Sequence, residues 1–192
     1  MNICVYGASS DSIDKIYRES AYSLAATMAK RGHAMVYGGG ANGVMGATAR
    51  GMHDNGGTII GIAPTFFTVD GVLYDKCTEF IYTETMRERK KLLEDKSDAF
   101  IIAPGGLGTF DEFFEILTLK QLERHNKPIA MFNVNGYYDD MLDMLRKTAE
   151  SNFMKPKSME LFKCFDNEIE MLEYIENYNQ APMDIRELKD IG

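Results

Sequence analysis

Two short runs hold most of the residues able to do chemistry. Pro104-Gly105-Gly106-Leu107-Gly108-Thr109-Phe110-Asp111-Glu112 gathers glycines, a hydroxyl and carboxylates into one stretch. Glycine turns let a backbone approach a ligand closely, and the amides of a helix start attract an anion. Glu112 then stands beside that anion site, which suits chemistry on a phosphorylated small molecule. The second run, Arg87-Glu88-Arg89-Lys90-Lys91, follows a helix start marked by Thr85 and Glu88. Cations in a first turn oppose the helix dipole by ~0.3–1 kcal/mol each when exposed, so local stability does not favour them. They suit an anion site in which arginine supplies forked donors to phosphate or carboxylate. The alternative is a solvated charged face offset by Glu84, Glu88 and Glu94. Glu112 has its own structural alternative, because Thr109 and Glu112 also have the spacing of a capping box.

These runs need elements to position them. Ala99 to Ala103 is short, apolar and bounded by Asp98 and Pro104, and reads as a buried strand. After the glycine turn, Phe113, Phe114, Ile116, Leu117, Leu119 and Leu122 recur at helical spacing to about Arg124. Upstream, strands at Asn2 to Tyr6, Ala34 to Tyr37, Thr58 to Ala63 and Glu79 to Tyr82 are expected. Helices are expected from about Ile13 to Arg31, after Gly46 to about Asp54, and from Met86 to Lys96. Downstream come strands at Pro128 to Phe132 and Leu161 to Phe165, and helices at Tyr137 to Ser151 and Ile169 to Tyr178. Such alternation predicts an α/β fold with a parallel sheet covered by helices on both faces. In such sheets ligands lie beyond the carboxyl ends of the strands. The turns Gly7 to Ser10, Gly38 to Gly46 and Gly105 to Thr109 fall at that edge. Pro64 to Lys76 is the longest irregular stretch in the body of the chain and reads as a lid. The expected organisation is a single domain over 1–180 and a polar, weakly structured tail over 181–192.

Composition excludes several classes. The 192 residues are 45% hydrophobic and 26% charged, as in ordinary globular proteins, and the net charge of −8 argues against a nucleic-acid surface. Cys4, Cys77 and Cys164 form no CxxC pair, so reduced thiols and a cytoplasmic location are expected. His33, His53 and His125 are scattered without metal-ligand spacing, and no metal site is expected. No apolar run approaches the ~18 residues of a membrane span. The chain turns polar by Ser9-Ser10-Asp11, too soon for a signal peptide. Gly38 to Gly43 formally matches GxGxxG, but the next strand ends Gly61-Ile62-Ala63-Pro64, without the carboxylate that a dinucleotide site places on the ribose. Nor is the Pro104 turn a Walker A motif, since no Gly-Lys-Ser/Thr follows it.

Taken together, the motifs resemble the LOG family of cytokinin riboside 5′-monophosphate phosphoribohydrolases, once widely misnamed lysine decarboxylases. PGGxGTxxE is Pro104 to Glu112, and its companion helix start is Met86-Arg87-Glu88-Arg89-Lys90. Tyr37 to Gly46 supplies Tyr-Gly-Gly-Gly-x-x-Gly-x-Met-Gly, and Gly7 to Ser10, Lys127-Pro128 and Asn133 to Tyr138 also fit. The chain departs from the pattern at Arg87, where His is usual, at Leu119, where Trp is common, and throughout Pro64 to Thr78.

The resemblance implies a Rossmann-like three-layer sandwich and a homodimer with sites near the subunit interface. Leu92-Leu93 and the helix from Phe113 to Leu122 would serve as interface or as core. It also implies hydrolysis of the N-glycosidic bond of a nucleoside 5′-monophosphate, a cytokinin riboside monophosphate or AMP, to free base and ribose 5-phosphate, with no cofactor. Glu112 would face the ribose, and Arg89 would orient the substrate and supply positive charge. Gly105, Gly106, Leu107, Gly108 and Thr109 would bind phosphate. Lys90, Thr118, Gly39, Gly40, Gly43 and Ser9 would make further substrate contacts. The rival is a non-catalytic nucleotide-binding module, a sensor or carrier. A pyridoxal phosphate decarboxylase fits less well, because no lysine is clearly placed for a Schiff base.

Overall fold

The computed structural model describes residues 1–67, 69 and 71–189. Strands β1 (Asn2–Tyr6), β2 (Ala34–Tyr37), β3 (Thr58–Pro64), β4 (Glu79–Thr83), β5 (Ala99–Ile102), β6 (Ile129–Phe132) and β7 (Lys163–Phe165) form one sheet in the order β4-β3-β2-β1-β5-β6-β7. Every pairing is parallel. Side chains alternate across each strand, so Ile3 and Val5 enter one layer and Cys4 and Tyr6 the other. The first layer is closed by α1 (Lys15–Lys30), α2 (Gly43–Asp54) and α6 (Glu168–Glu176), through Leu24, Met28, Met52 and Leu172. The second is closed by α3 (Met86–Asp95), α4 (Leu107–Gln121) and α5 (Asp139–Glu150), through Leu93, Phe113, Ile116 and Leu142. Burial on both faces explains why the central strands read as continuous apolar runs. The expected α/β sandwich is the fold the chain adopts.

One segment departs from the sequence reading and a second keeps to it. The 181–192 tail contains a short helix, α7 (Ile185–Leu188), capped by Asp184, whose carboxylate accepts from the Arg186 amide at 2.8 Å. Leu188 docks into the second layer and is buried, so an apolar anchor orders a segment that reads as polar; residues 190–192 lie outside the described residues. The β3–β4 connection is irregular as expected, with one 3₁₀ turn at Thr65–Phe67, and it is tied to the glycine turn after β2. The Tyr74 amide donates to Gly39 O at 2.8 Å and the Ala41 amide to Val72 O at 2.9 Å. Thr68 and Asp70 of the expected lid lie outside the described residues.

Leu93, Phe113, Ile116 and Leu117 are buried within the single chain, which is the core reading of those positions. Leu92, Phe114, Leu119 and Leu122 are half-buried. Among the described residues no helix is long and apolar enough to cross a membrane.

Candidate active site

β1 and β5 lie side by side at the centre of the sheet, with Tyr6 opposite Ile102. From β1 the chain leaves to α1 on one face, and from β5 it leaves to α4 on the other. Such a divergence opens a crevice beyond the strand ends. The two turns are stitched together where the Ala8 amide donates to Pro104 O at 3.0 Å. A cavity of about 480 Å³ occupies the crevice.

Arg89 and Glu112 meet in its wall. Arg89 Nη1 donates to Glu112 Oε1 at 2.7 Å and Nε donates to Ile62 O at 3.2 Å. Both side chains are more than nine-tenths buried yet line the cavity. A buried ion pair gains little net stability, because desolvating two charges offsets their attraction. Such a pair in a cleft marks a functional site instead. Burial pushes the Glu112 carboxyl above its ordinary value, and the Arg89 guanidinium draws it part of the way back.

The guanidinium has a fixed seat. A Cβ at Gly38 would lie 2.0 Å from Arg89 Nη2, so only glycine at the end of β2 leaves room for it. Gly38 was not among the expected site residues. The signal was its place in the glycine run after a strand, but its particular role needs the approach of α3.

The helix start beside Glu112 lies three residues earlier than capping-box spacing places it. α4 begins at Leu107 with Gly106 as its N-cap, and no side chain caps it. Thr109 is therefore inside the helix, Glu112 reaches Arg89 rather than the N-cap amide, and the capping alternative for Glu112 is corrected. The first helical amides, at Leu107, Gly108 and Thr109, have no preceding carbonyl to bond. They are offered at the cavity wall instead.

Of the expected contacts, Ser9, Gly40, Gly106, Leu107, Gly108 and Thr109 line the cavity with Arg89 and Glu112. Gly39, Gly43, Gly105, Lys90 and Thr118 are not among its lining residues. Gly39 and Gly43 take positive φ (79° and 62°) and shape the turn. Gly105 is buried behind Thr109, and Thr118 is exposed farther along α4. Lys90 pairs with Asp111 at 3.0 Å and with Glu115, while Lys91 pairs with Asp95. The cationic run thus sends Arg89 alone into the cavity. Lys90 and Lys91 form a charged face ion-paired with Asp95, Asp111 and Glu115, with Glu94 adding to the field at Lys91 as expected and Glu88 turned to the backbone amides of Glu84 and Thr85.

Sequence reasoning missed an apolar side of the cavity. Met45, Met86, Phe67, Val72 and Leu73 line it, three of them from the irregular β3–β4 connection. Phe67, Val72 and Leu73 had no signal beyond apolarity in an irregular stretch, whereas Met45 and Met86 stood in the quoted motifs without an assigned role. Asp111 also lines it. The thiols are elsewhere: burial pushes Cys4 up to about 12 and raises Cys77 and Cys164, so none is poised as a nucleophile. Among the described residues no group of three His, Cys, Asp or Glu side chains is arranged to hold a metal.

Comparison with known proteins bears on this site. The family model described as possible lysine decarboxylase matches residues 45–175. Cytokinin riboside 5′-monophosphate phosphoribohydrolase LOG2 of Arabidopsis thaliana is 34% identical over 176 residues, 92% of this chain and 83% of that protein. Probable cytokinin riboside 5′-monophosphate phosphoribohydrolase LOGL5 of Oryza sativa subsp. japonica is 33% identical over 187 residues, 97% and 76% of the two chains. Among solved structures, a molybdenum cofactor carrier protein from Chlamydomonas reinhardtii superposes with a TM-score of 0.68 at 19% identity, covering 91% of this chain and 95% of that one. At that identity the likeness bears on the fold alone.

Proposed function

The chain belongs to the LOG family, and on that premise we propose that it hydrolyses the N-glycosidic bond of a nucleoside 5′-monophosphate, releasing free base and ribose 5-phosphate. The observation that carries this reading is the buried Arg89–Glu112 pair facing a cavity whose other wall is an uncapped helix start. The relatives' names supply the substrate class, a cytokinin riboside 5′-monophosphate, with AMP as its unsubstituted counterpart.

In this reading the phosphate sits against the amides of Gly106, Leu107, Gly108 and Thr109, where the helix dipole favours an anion. Thr109 adds its hydroxyl, and Ser9 and Gly40 bound the same space. Gly39, Gly43, Gly105 and Lys90 act from behind this surface, by shaping turns or balancing charge, and Thr118, exposed farther along α4, has no part in it. Glu112 faces the ribose. As C1′ separates from the base nitrogen, positive charge gathers on the ring, and an ionised Glu112 stabilises it or takes a proton from the attacking water. Water delivers hydroxide to C1′, and a proton goes to the departing base. Arg89 holds Glu112 in place and keeps it ionised; its own pKa above ~12 rules it out as the acid. The apolar side formed by Met45, Phe67, Val72, Leu73 and Met86 is suited to the base. No step calls on a metal or an organic cofactor.

The same reading carries a cytoplasmic, homodimeric enzyme whose catalytic domain spans 1–180. Leu107, Met86, Phe67 and Val72, exposed apolar residues that line the cavity, support a subunit contact there. Light scattering tests it: a dimer is expected, and a clean monomer at working concentration overturns the shared-interface arrangement. The activity is tested by incubating purified protein with AMP and isopentenyladenosine 5′-monophosphate and following free base by chromatography. Base release from either supports the hydrolase and ranks the bases. Tight binding with both nucleotides intact overturns it in favour of a sensor or carrier.

A further inference from the structure

Three consecutive carbonyls at the end of β5 are each held from outside their own turn. Tyr138 Oη donates to Ala103 O at 2.7 Å, the Ala8 amide donates to Pro104 O at 3.0 Å, and Tyr137 Oη donates to Gly105 O at 2.7 Å. From this geometry we infer that Tyr137, backed by Tyr138, is a positioning residue that aims the Gly106 amide into the cavity. The inference rests on the phosphate reading of that turn given above.

A trans peptide is rigid, so a carbonyl and the amide that follows it point to opposite sides. With Gly105 O held by Tyr137, the Gly106 N–H must face away from the tyrosine. Gly106 lines the cavity and Tyr137 does not. Nothing in α4 fixes this plane, because Gly106 is the N-cap and no side chain caps it. Glycine on both sides leaves the Gly105–Gly106 peptide freer to rotate than any other in the turn. The tyrosine hydroxyl supplies the restraint that the local sequence lacks.

The tyrosines are themselves secured. Asn133 Oδ1 accepts from the Tyr138 amide at 2.7 Å, and Asn133 Nδ2 donates to Asp139 Oδ1 at 2.7 Å. Asn135 and Gly136 both take positive φ, 53° and 70°, and reverse the chain just before the pair. Tyr17 from α1 meets the Tyr137 ring edge-on at 5.6 Å. This gives Asn133 to Tyr138, conspicuous in the sequence, a part in substrate binding although none of it lines the cavity. The two hydroxyls differ in consequence. Tyr138 is buried and its partner is a strand-end carbonyl, so its loss is felt first in stability. Tyr137 is 39% exposed and its partner belongs to the anion-binding turn, so its loss is felt first in affinity for phosphate.

The test is calorimetric titration of the wild type and Tyr137→Phe with AMP and with adenosine, alongside thermal melting of both proteins and of Tyr138→Phe. Tyr137→Phe is expected to weaken AMP about fivefold, the loss of one neutral hydrogen bond, and to leave adenosine unchanged. In turnover the same variant should raise KM for AMP without lowering kcat. Tyr138→Phe should melt lower than Tyr137→Phe. Unchanged AMP affinity in Tyr137→Phe, or an equal loss for AMP and adenosine, overturns the inference and returns Tyr137 to general support of the fold. Wild-type protein that binds AMP but releases no base would overturn the hydrolase reading while these affinities still decide the role of Tyr137. Wild-type protein that binds AMP no more tightly than adenosine would overturn both.

Discussion

At the start of α3, Thr85 and Glu88 close a capping box; at the start of α4, Thr109 and Glu112 have the same spacing and cap nothing. The Thr85 hydroxyl accepts from the Glu88 amide at 3.2 Å, and Glu88 Oε2 accepts from the Thr85 and Glu84 amides at 3.3 and 2.9 Å. These groups are exposed, and they satisfy donors that would otherwise meet only water. α4 is entered through glycine, which starts the helix three residues earlier. Its first amides stay open, and Glu112 is buried against a cation from the other helix. The first start contributes stability. The second gives up its cap and keeps free donors and a desolvated carboxylate in one place, which is what a site for an anionic substrate requires.

The largest effect that would break this comparison is on turnover. Glu112→Gln keeps the shape and a hydrogen-bond acceptor for Arg89 but removes the charge. Base release per folded molecule is expected to fall ~10²–10⁴-fold, the range for losing a positioned acid–base group, while AMP still binds by calorimetry. Next is Gly38→Ala. Its methyl takes the place of Arg89 Nη2, and rotation of the guanidinium away from Glu112 should lower kcat by ~10–100-fold with the fold retained by circular dichroism. An alanine variant with wild-type kcat would show that the seat of Arg89 is not needed. Thr85→Ala comes third. Denaturant unfolding should show a loss of ~1 kcal/mol, typical of an N-cap, with kcat unchanged.

The smallest effect is on the pH profile. Because burial holds the Glu112 carboxyl above its ordinary value, a required carboxylate gives kcat/KM an acid limb displaced upward from the usual glutamate range. Arg89→Met removes the charge that draws the carboxyl back down, so a ¹³C titration of Glu112 should move further up, never down. For stability the sign reverses. The folded protein keeps this proton to higher pH than the unfolded chain, so the contribution of Glu112 is complete below the ordinary value. It is lost as pH rises through the raised one.

Much of this is legible in the amino-acid sequence alone. Strand ends and glycine turns are local signals, so β1, β2 and β5 and the turns that follow them can be placed from apolar runs and punctuation. The parallel sheet, and with it the edge at which ligands sit, follows from alternation. What is not legible depends on contacts across the chain. Arg89 and Glu112 are 23 residues apart, and only the family resemblance, nothing in the chemistry of either run, says which of four neighbouring cations turns inward. Thr109 cannot be told from a cap, because spacing alone is the same in both helices; the glycine before α4 decides the matter. Leu188 looks like part of a polar tail because its partners lie in the α4–α5 layer. The apolar cavity wall from Phe67, Val72 and Leu73 has no periodicity to reveal it, since the described residues of the β3–β4 connection hold one 3₁₀ turn and a single bridge from Leu73 to Gly40.

One experiment puts the comparison at most direct risk: base release and thermal melting measured side by side for wild type, Thr85→Ala and Glu112→Gln on the same nucleotide. The account predicts that Thr85→Ala melts lower and turns over at the wild-type rate, while Glu112→Gln, counted per folded molecule, binds AMP and releases almost no base. Glu112→Gln turning over like the wild type would contradict it and leave Glu112 a buried partner of Arg89 with no part in the chemistry.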